Sequence, residues 1–179
     1  MITTRRTFPL MAAMLWAAAA DAADTAQADA EAKIKASYIY KLAAYIDWPS
    51  TDVGAPFTIG IIDADNVAEE LKKLSAAYPL KSRPVQVRQL AAGAALSGLQ
   101  LLYIGEHSAR NARNLFDSIA TLPVLTMTES AGALAAGSII NLVQVDERIR
   151  FEVSLSHAEA RRLKISSRLL DVAYRIEGR

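Results

Sequence analysis

Beyond residue 30 the apolar positions alternate between helical and extended periods. Ile34, Tyr38, Leu42 and Tyr45 recur at spacings of four and three, and Ile39, Ala43 and Ile46 widen the stripe, while Lys33, Lys35 and Lys41 lie off it. A helix is predicted from Glu31, ending at Trp48-Pro49 because the residue before a proline is pushed out of helical geometry. Phe57-Thr58-Ile59-Gly60-Ile61-Ile62 is an unbroken apolar run that suits a strand covered on both faces. Asn66 and Glu69 offer a capping pair for a helix carrying Val67, Leu71 and Leu74. Residues 84–88 alternate with period two and predict a strand near a sheet edge, and residues 99–105 predict another buried strand. Ser108 is the expected cap of a helix presenting Ala112, Leu115, Phe116 and Ile119, followed by a strand over residues 123–127.

The last third begins with a small, glycine-containing connection, residues 129–138. Two extended runs, 139–145 and 148–153, then flank Asp146-Glu147 and predict a β-hairpin. Ser156 and Glu159 have the spacing of a capping box for a helix to about Leu163. Leu169, Leu170, Ala173 and Ile176 form the inner face of a predicted last helix. Strand–helix alternation closed by a hairpin gives the fold class: an α/β single-domain sandwich with a mixed sheet of about six strands, parallel in its first half and flanked by helices. There is no internal repeat and no second domain.

The first residues follow a different pattern. Arg5 and Arg6 precede an apolar run over residues 8–20, and small residues precede Asp21, which are the three parts of a secretory signal peptide. The 13-residue run is short of the roughly 20 residues that span a bilayer. Cleavage after Ala20 or Ala22 satisfies the small-residue rule, and the adjacent arginines also resemble a twin-arginine signal, so the export route stays open. The expected organisation is a signal peptide over 1–22, a flexible leader over 23–30 and the α/β domain over 31–179. The working location is then outside the cytosol.

Composition narrows the chemistry. The 179 residues are 52% hydrophobic and 22% charged, which excludes disorder throughout. A net charge of +1 gives no electrostatic argument for nucleic acid. Cysteine is absent, which removes disulfides, thiolate metal sites, iron–sulfur clusters and cysteine nucleophiles. Two histidines, His107 and His157, stand beside Ser108 and Ser156, but no Gly-x-Ser-x-Gly surrounds a serine. Asp63, Asp65 and Asn66 follow the first long strand, where open α/β sheets commonly place ligands; a third metal ligand and a glycine fingerprint are missing, and helix capping accounts for them better. Gly132 to Ser138 has the glycine spacing of a phosphate loop but lacks its lysine and precedes a strand, so it reads as a turn. No catalytic residue, cofactor site or metal site is expected.

What remains is surface. Arg148, Arg150, Arg161, Arg162, Arg168 and Arg175 concentrate positive charge near the C-terminus. Arg148 and Arg150 share one strand face by period two, suited to an anion or an acidic partner or, alternatively, to solvation and pairing with Asp146, Glu147 and Glu152. Tyr38 and Tyr45 suit core packing, whereas Trp48, at the helix end, is a candidate interface anchor because tryptophan is enriched at binding hot spots. Trp48, Arg148 and Arg150 are therefore the candidate partner-binding residues.

Two groups of segments carry a resemblance. Residues 35–49 (Lys35-Ala36-Ser37-Tyr38-Ile39-Tyr40-Lys41 through Asp47-Trp48-Pro49) resemble the opening helix of the YfiR family of periplasmic proteins. Pro123-Val124-Leu125-Thr126, Ile140-Asn141-Leu142-Val143, Arg148 to Val153 and Leu163 to Leu170 follow in the family's order and spacing, so the resemblance covers about Ala32 to Tyr174. It implies a non-enzymatic repressor that binds the periplasmic sensory region of an inner-membrane diguanylate cyclase, lowering cyclic di-GMP and biofilm formation. An OmpA-like outer-membrane lipoprotein is the usual counter-partner. Other members are linked to membrane histidine kinases, so a periplasmic small-ligand-binding module serving such a kinase is the alternative. Dimerisation stays open. Paired cysteines, frequent in the family, are absent here, so disulfide control is out of reach.

Overall fold

The computed structural model describes residues 10–49 and 54–178, with side chains from residue 25. Of the expected signal peptide, residues 1–9 lie outside the described residues and the remainder is described only as helical backbone. Among the described residues no helix is long and apolar enough to cross a membrane.

Helix α1 (Leu10–Ala44) runs without a break through residues 23–30, the stretch expected as a leader. The physical reason is composition: the segment is rich in alanine, the strongest helix former, and holds neither glycine nor proline. The helix also stops four residues before Trp48, because β1 (Ile46–Asp47) pairs antiparallel with β8 (Lys164–Ile165) in a small two-stranded ribbon.

The main sheet has seven strands in the order β3-β2-β4-β5-β6-β7-β9. Strands β2 (Phe57–Ile62), β3 (Val85–Gln89), β4 (Leu101–Ile104), β5 (Leu125–Thr128) and β6 (Ile140–Val145) are mutually parallel. Every residue of β2, β4 and β5 is buried, as expected for strands covered on both faces, and β3 takes the predicted edge place. In β4 the period-two alternation divides Leu101 and Tyr103 from Leu102 and Ile104. The first pair joins the core under α1 and α2 (Asp65–Ala77), and the second packs against Phe116 and Ile119 at α4 (Arg113–Ser118).

The hairpin forms as predicted: β6 pairs antiparallel with β7 (Arg148–Ser154) around Asp146 and Glu147, both at positive φ, the twist that a two-residue turn needs. Beyond it the expected last helix is corrected. Only α7 (Ser167–Leu170) is helical, and Ile176 lies in β9 (Arg175–Glu177), a parallel neighbour of β7 that brings the sheet to seven strands. Ile176 fits both periods within so short a window, and the Tyr174 N–H bond to the Phe151 carbonyl turns the chain onto the sheet.

Three expected caps are also replaced. Ala64, not Asn66, holds the N-cap of α2, and the Asn66 side chain accepts the adjacent Val67 N–H. Gly105 precedes α3 (Glu106–Ala109), and the Ser108 N–H is taken by Asp63. Helix α6 (Leu155–Ala160) is capped by Ser154, which accepts the His157 N–H, and it ends before Leu163 because Arg162 adopts a left-handed φ of 57°.

Gly105 is required by a close approach. A Cβ there would lie 1.9 Å from the Asp63 carbonyl oxygen, a backbone atom that has no free torsion to escape. Gly105→Ala is expected to lower the unfolding free energy by about 3 kcal/mol, the upper end of overpacking costs. Urea unfolding of the exported form checks it; a change below about 1 kcal/mol would show that the two loops separate freely.

Candidate partner-binding groove and neighbouring sites

Helix α1 presents three stripes to three environments. Ala32, Ala36, Ile39 and Ala43 face the core and are buried. On the next stripe Leu42 is also buried, and Tyr38 packs at the core margin, where its hydroxyl donates 2.8 Å to the Ile149 carbonyl of β7. The outer stripe, Lys33, Ser37 and Lys41, reaches solvent or its margin. Opposite stand Arg150 and Phe151 of β7, Arg168 and Leu169 of α7, and Val172. Between these walls lies an open groove of about 640 Å³. Ile34, Tyr45 and Val172 are 48%, 44% and 66% exposed on it, a degree of apolar exposure that a chain packed only for its own core would not leave together.

The charge of this groove has one sign. Lys33, Lys41, Arg150 and Arg168 line it, no aspartate or glutamate does, and none of the four makes an ion pair among the described residues. An adjoining groove is different. There Arg148 and Arg150 meet Glu31, Glu106, Glu129 and Glu147. Lys35 lines only this second groove, paired with both Glu31 and Glu129; burial alone lowers its pKa, but the two carboxylates outweigh burial and hold it above its ordinary value.

The three residues singled out from the sequence are thus placed in different surroundings. Arg148 and Arg150 are both exposed on β7, but only Arg150 enters the groove against α1 and α7. Trp48 is half-buried elsewhere: its indole N–H donates 3.1 Å to the Gln100 carbonyl, its ring meets Phe57 edge-on at 5.1 Å, and Lys81 sits 5.8 Å from its centroid. It lines a separate cleft with Asp47, Glu159, Arg162 and Leu163. Sequence reasoning missed Lys33, Lys41 and Val172. The available signal was the overwide apolar stripe from Ile34 to Tyr45, more than one helix buries against one sheet.

Elsewhere the candidates resolve into structural roles. The strand order reverses between β2 and β4, the usual ligand crevice of an open α/β sheet. Here the crevice is filled by the chain itself: Gly105 lies against Asp63, whose carboxylate accepts the Ser108 N–H at 2.8 Å. Asp65 instead accepts from Gln89, so the two carboxylates do not converge, and no cluster of metal-binding type occurs among the described residues. No histidine ring bonds a serine hydroxyl among the described residues; the His157 ring contacts the Ser138 carbonyl at 3.3 Å. Gly132 and Gly137 both take positive φ around the one-turn α5 (Ala133–Ala136), as a turn requires. Arg175 pairs with Glu152 and Glu177.

Arg161 is the most deeply buried charge, 2% exposed and without a carboxylate partner among the described residues. Its guanidinium donates to Thr126 Oγ1 at 2.8 Å, to the Gly137 carbonyl at 2.9 Å and to the Val124 carbonyl at 3.3 Å. Burial pulls its pKa down to about 10, still far above neutrality, so it stays charged and pins α6 to β5 and to the start of β6.

With this geometry in hand, comparison with known families gives a match to the one described as YfiR/HmsC-like over residues 32–174. No curated protein matches the chain significantly.

Arg161→Leu strands three acceptors and is expected to cost about 3 kcal/mol of stability, whereas Arg162→Leu, at an exposed neighbour, stays within about 0.5 kcal/mol. Thermal and urea unfolding of the pair checks this; equal losses would remove the clamp from Arg161.

Proposed function

We propose, for a chain that belongs to the YfiR/HmsC-like family, that it is a periplasmic repressor of an inner-membrane diguanylate cyclase, acting by binding the cyclase's periplasmic sensory region. The family is periplasmic and regulatory rather than catalytic. The observation that carries the reading is the pairing of that membership with an open apolar groove edged by unpaired cations, a surface made for a macromolecule and not for bond chemistry. Binding tighter to the inactive arrangement of the cyclase holds it there; a hundredfold bias needs a differential affinity of about 2.7 kcal/mol. Export through residues 1–22, with cleavage near Ala20 or Ala22, delivers the chain to the compartment where that sensory region lies. An outer-membrane lipoprotein that competes for the repressor completes the circuit.

Loss of the gene is expected to raise cyclic di-GMP and surface attachment severalfold. The full chain restores both to the starting level, and a chain starting at residue 23, made without an export signal, does not. Unchanged cyclic di-GMP after deletion overturns the repressor role, and full rescue by the unexported chain overturns its location.

A further inference from the structure

The groove between α1, β7 and α7 has a chemistry more specific than partner binding. We propose that it receives an acidic amphipathic helix, supplied by the sensory region on the reading above, with the apolar face seated on Ile34, Tyr38, Tyr45 and Val172 and carboxylates set against Lys33, Lys41, Arg150 and Arg168. Charge complementarity is the first argument. The whole chain has a net charge of only +1, yet this groove gathers four cations and no carboxylate, with no ion pair made by any of the four among the described residues. The positive lining is therefore a local feature and not the by-product of a basic protein.

Length is the second argument. Lys33 and Lys41 stand eight residues apart on α1, about 12 Å along its axis, and Arg150 and Arg168 face them from the other wall. Carboxylates spread over two turns of a helix meet such an array, whereas one small anion reaches only part of it. The α1 wall from Lys33 to Tyr45 is about 18 Å long, room for three turns of an incoming helix.

The third argument decides between a helix and an extended strand. A strand binds by main-chain pairing at a free sheet edge, and here the outward carbonyls of β7 are taken: Ile149 accepts from the Tyr38 hydroxyl and Phe151 from the Tyr174 N–H. The groove therefore offers side chains, not backbone. An amphipathic helix is the partner recognised through side chains alone, by anchors at spacings of three and four.

The probe is an 18-residue peptide with leucine along one helical face and glutamate on both flanks, fluorescein-labelled, titrated into the exported form by anisotropy. Saturable binding is expected, at least tenfold weaker for the double variant Lys41→Glu, Arg150→Glu and for Val172→Asp, with unchanged circular dichroism in both. The same peptide with lysine replacing glutamate is expected not to bind. Equal binding of the lysine peptide, no loss in the variants, or no binding at all overturns the proposal. So does a rise in melting temperature with octanoate while the peptide stays unbound, which makes the groove a small-ligand site. Self-association that fills the groove and is abolished by Val172→Asp overturns it in favour of a second copy. The cyclase's soluble sensory region is titrated in parallel. If it binds wild type and the double variant equally, the repressor reading stands and the groove assignment falls; if the peptide binds and the sensory region does not, the reverse holds.

Discussion

The seating of α1 on the sheet sets the rest of the surface. Of the four side chains it buries most deeply, Ala32, Ala36 and Ala43 are alanines and only Ile39 is large, so the helix axis comes close to the strands. Hydrogen-bonding side chains then fix it at successive turns. Lys35 reaches Glu129 just after β5, Tyr38 reaches the Ile149 carbonyl on β7, and Tyr40 reaches the Tyr78 carbonyl beyond α2. A helix held this closely, and at this rotation, cannot turn its next stripe inward. Ile34, Tyr45 and the lysines on either side are left facing α7, which is a single turn and too short to cover them. The groove follows from small residues on one stripe and a short helix opposite.

How much of this was legible beforehand differs by level. Strands β2 and β4 were plain because burial on both faces produces unbroken apolar runs, a signal that depends on local sequence alone. The hairpin was plain because two extended runs flank the two-residue turn Asp146-Glu147, also a local signal. The α3 cap was misassigned because the group that meets its N-terminus is Asp63, 45 residues upstream of Ser108, and no local window contains it. The last strand was hidden because Leu169, Leu170, Ala173 and Ile176 satisfy a helical period as well as a break into β9. At the surface Arg150 was visible through its period-two exposure, but Lys33 and Lys41 looked like an ordinary solvated face. Only the placement of Arg168 and Val172 across from them, a tertiary fact, turns those lysines into one wall of a site.

The interior shows a similar displacement of chemistry. The crevice at the strand reversal, where open α/β sheets host ligands, is occupied by the chain's own Asp63 and closed by Gly105, so an anion finds the α3 N-terminus already taken. The C-terminal half of the sheet instead carries a buried polar seam. Arg161 bonds Thr126, Thr128 bonds Ser138 and Asn141, and Asn141 reaches Glu152, which Arg175 holds from β9. Each link ties one strand or helix to the next, and because every member of the seam has a partner the network rigidifies one arrangement of β5, β6, β7 and β9. Rigid positioning of β7 is what a binding surface on that strand needs.

That rigidity bears on specificity. At physiological ionic strength a charge is screened within about 8 Å, so four cations on a nearly neutral molecule exert little pull at long range. Their effect is confined to a partner already in contact. There they act by rejecting registers that bring a cation or an unpaired apolar face into the groove, while the apolar floor supplies most of the affinity. The adjoining groove, where Glu31, Glu106, Glu129 and Glu147 stand among Lys35, Arg148 and Arg150, is mixed in charge. An acidic helix that slid from one groove into the next would exchange an all-cationic lining for a mixed one and lose most of that attraction. The two neighbouring surfaces thus differ in the charge they offer, and they meet along Ile34, Tyr38 and Arg150, while Lys35, on the mixed side, has its charge held by Glu31 and Glu129.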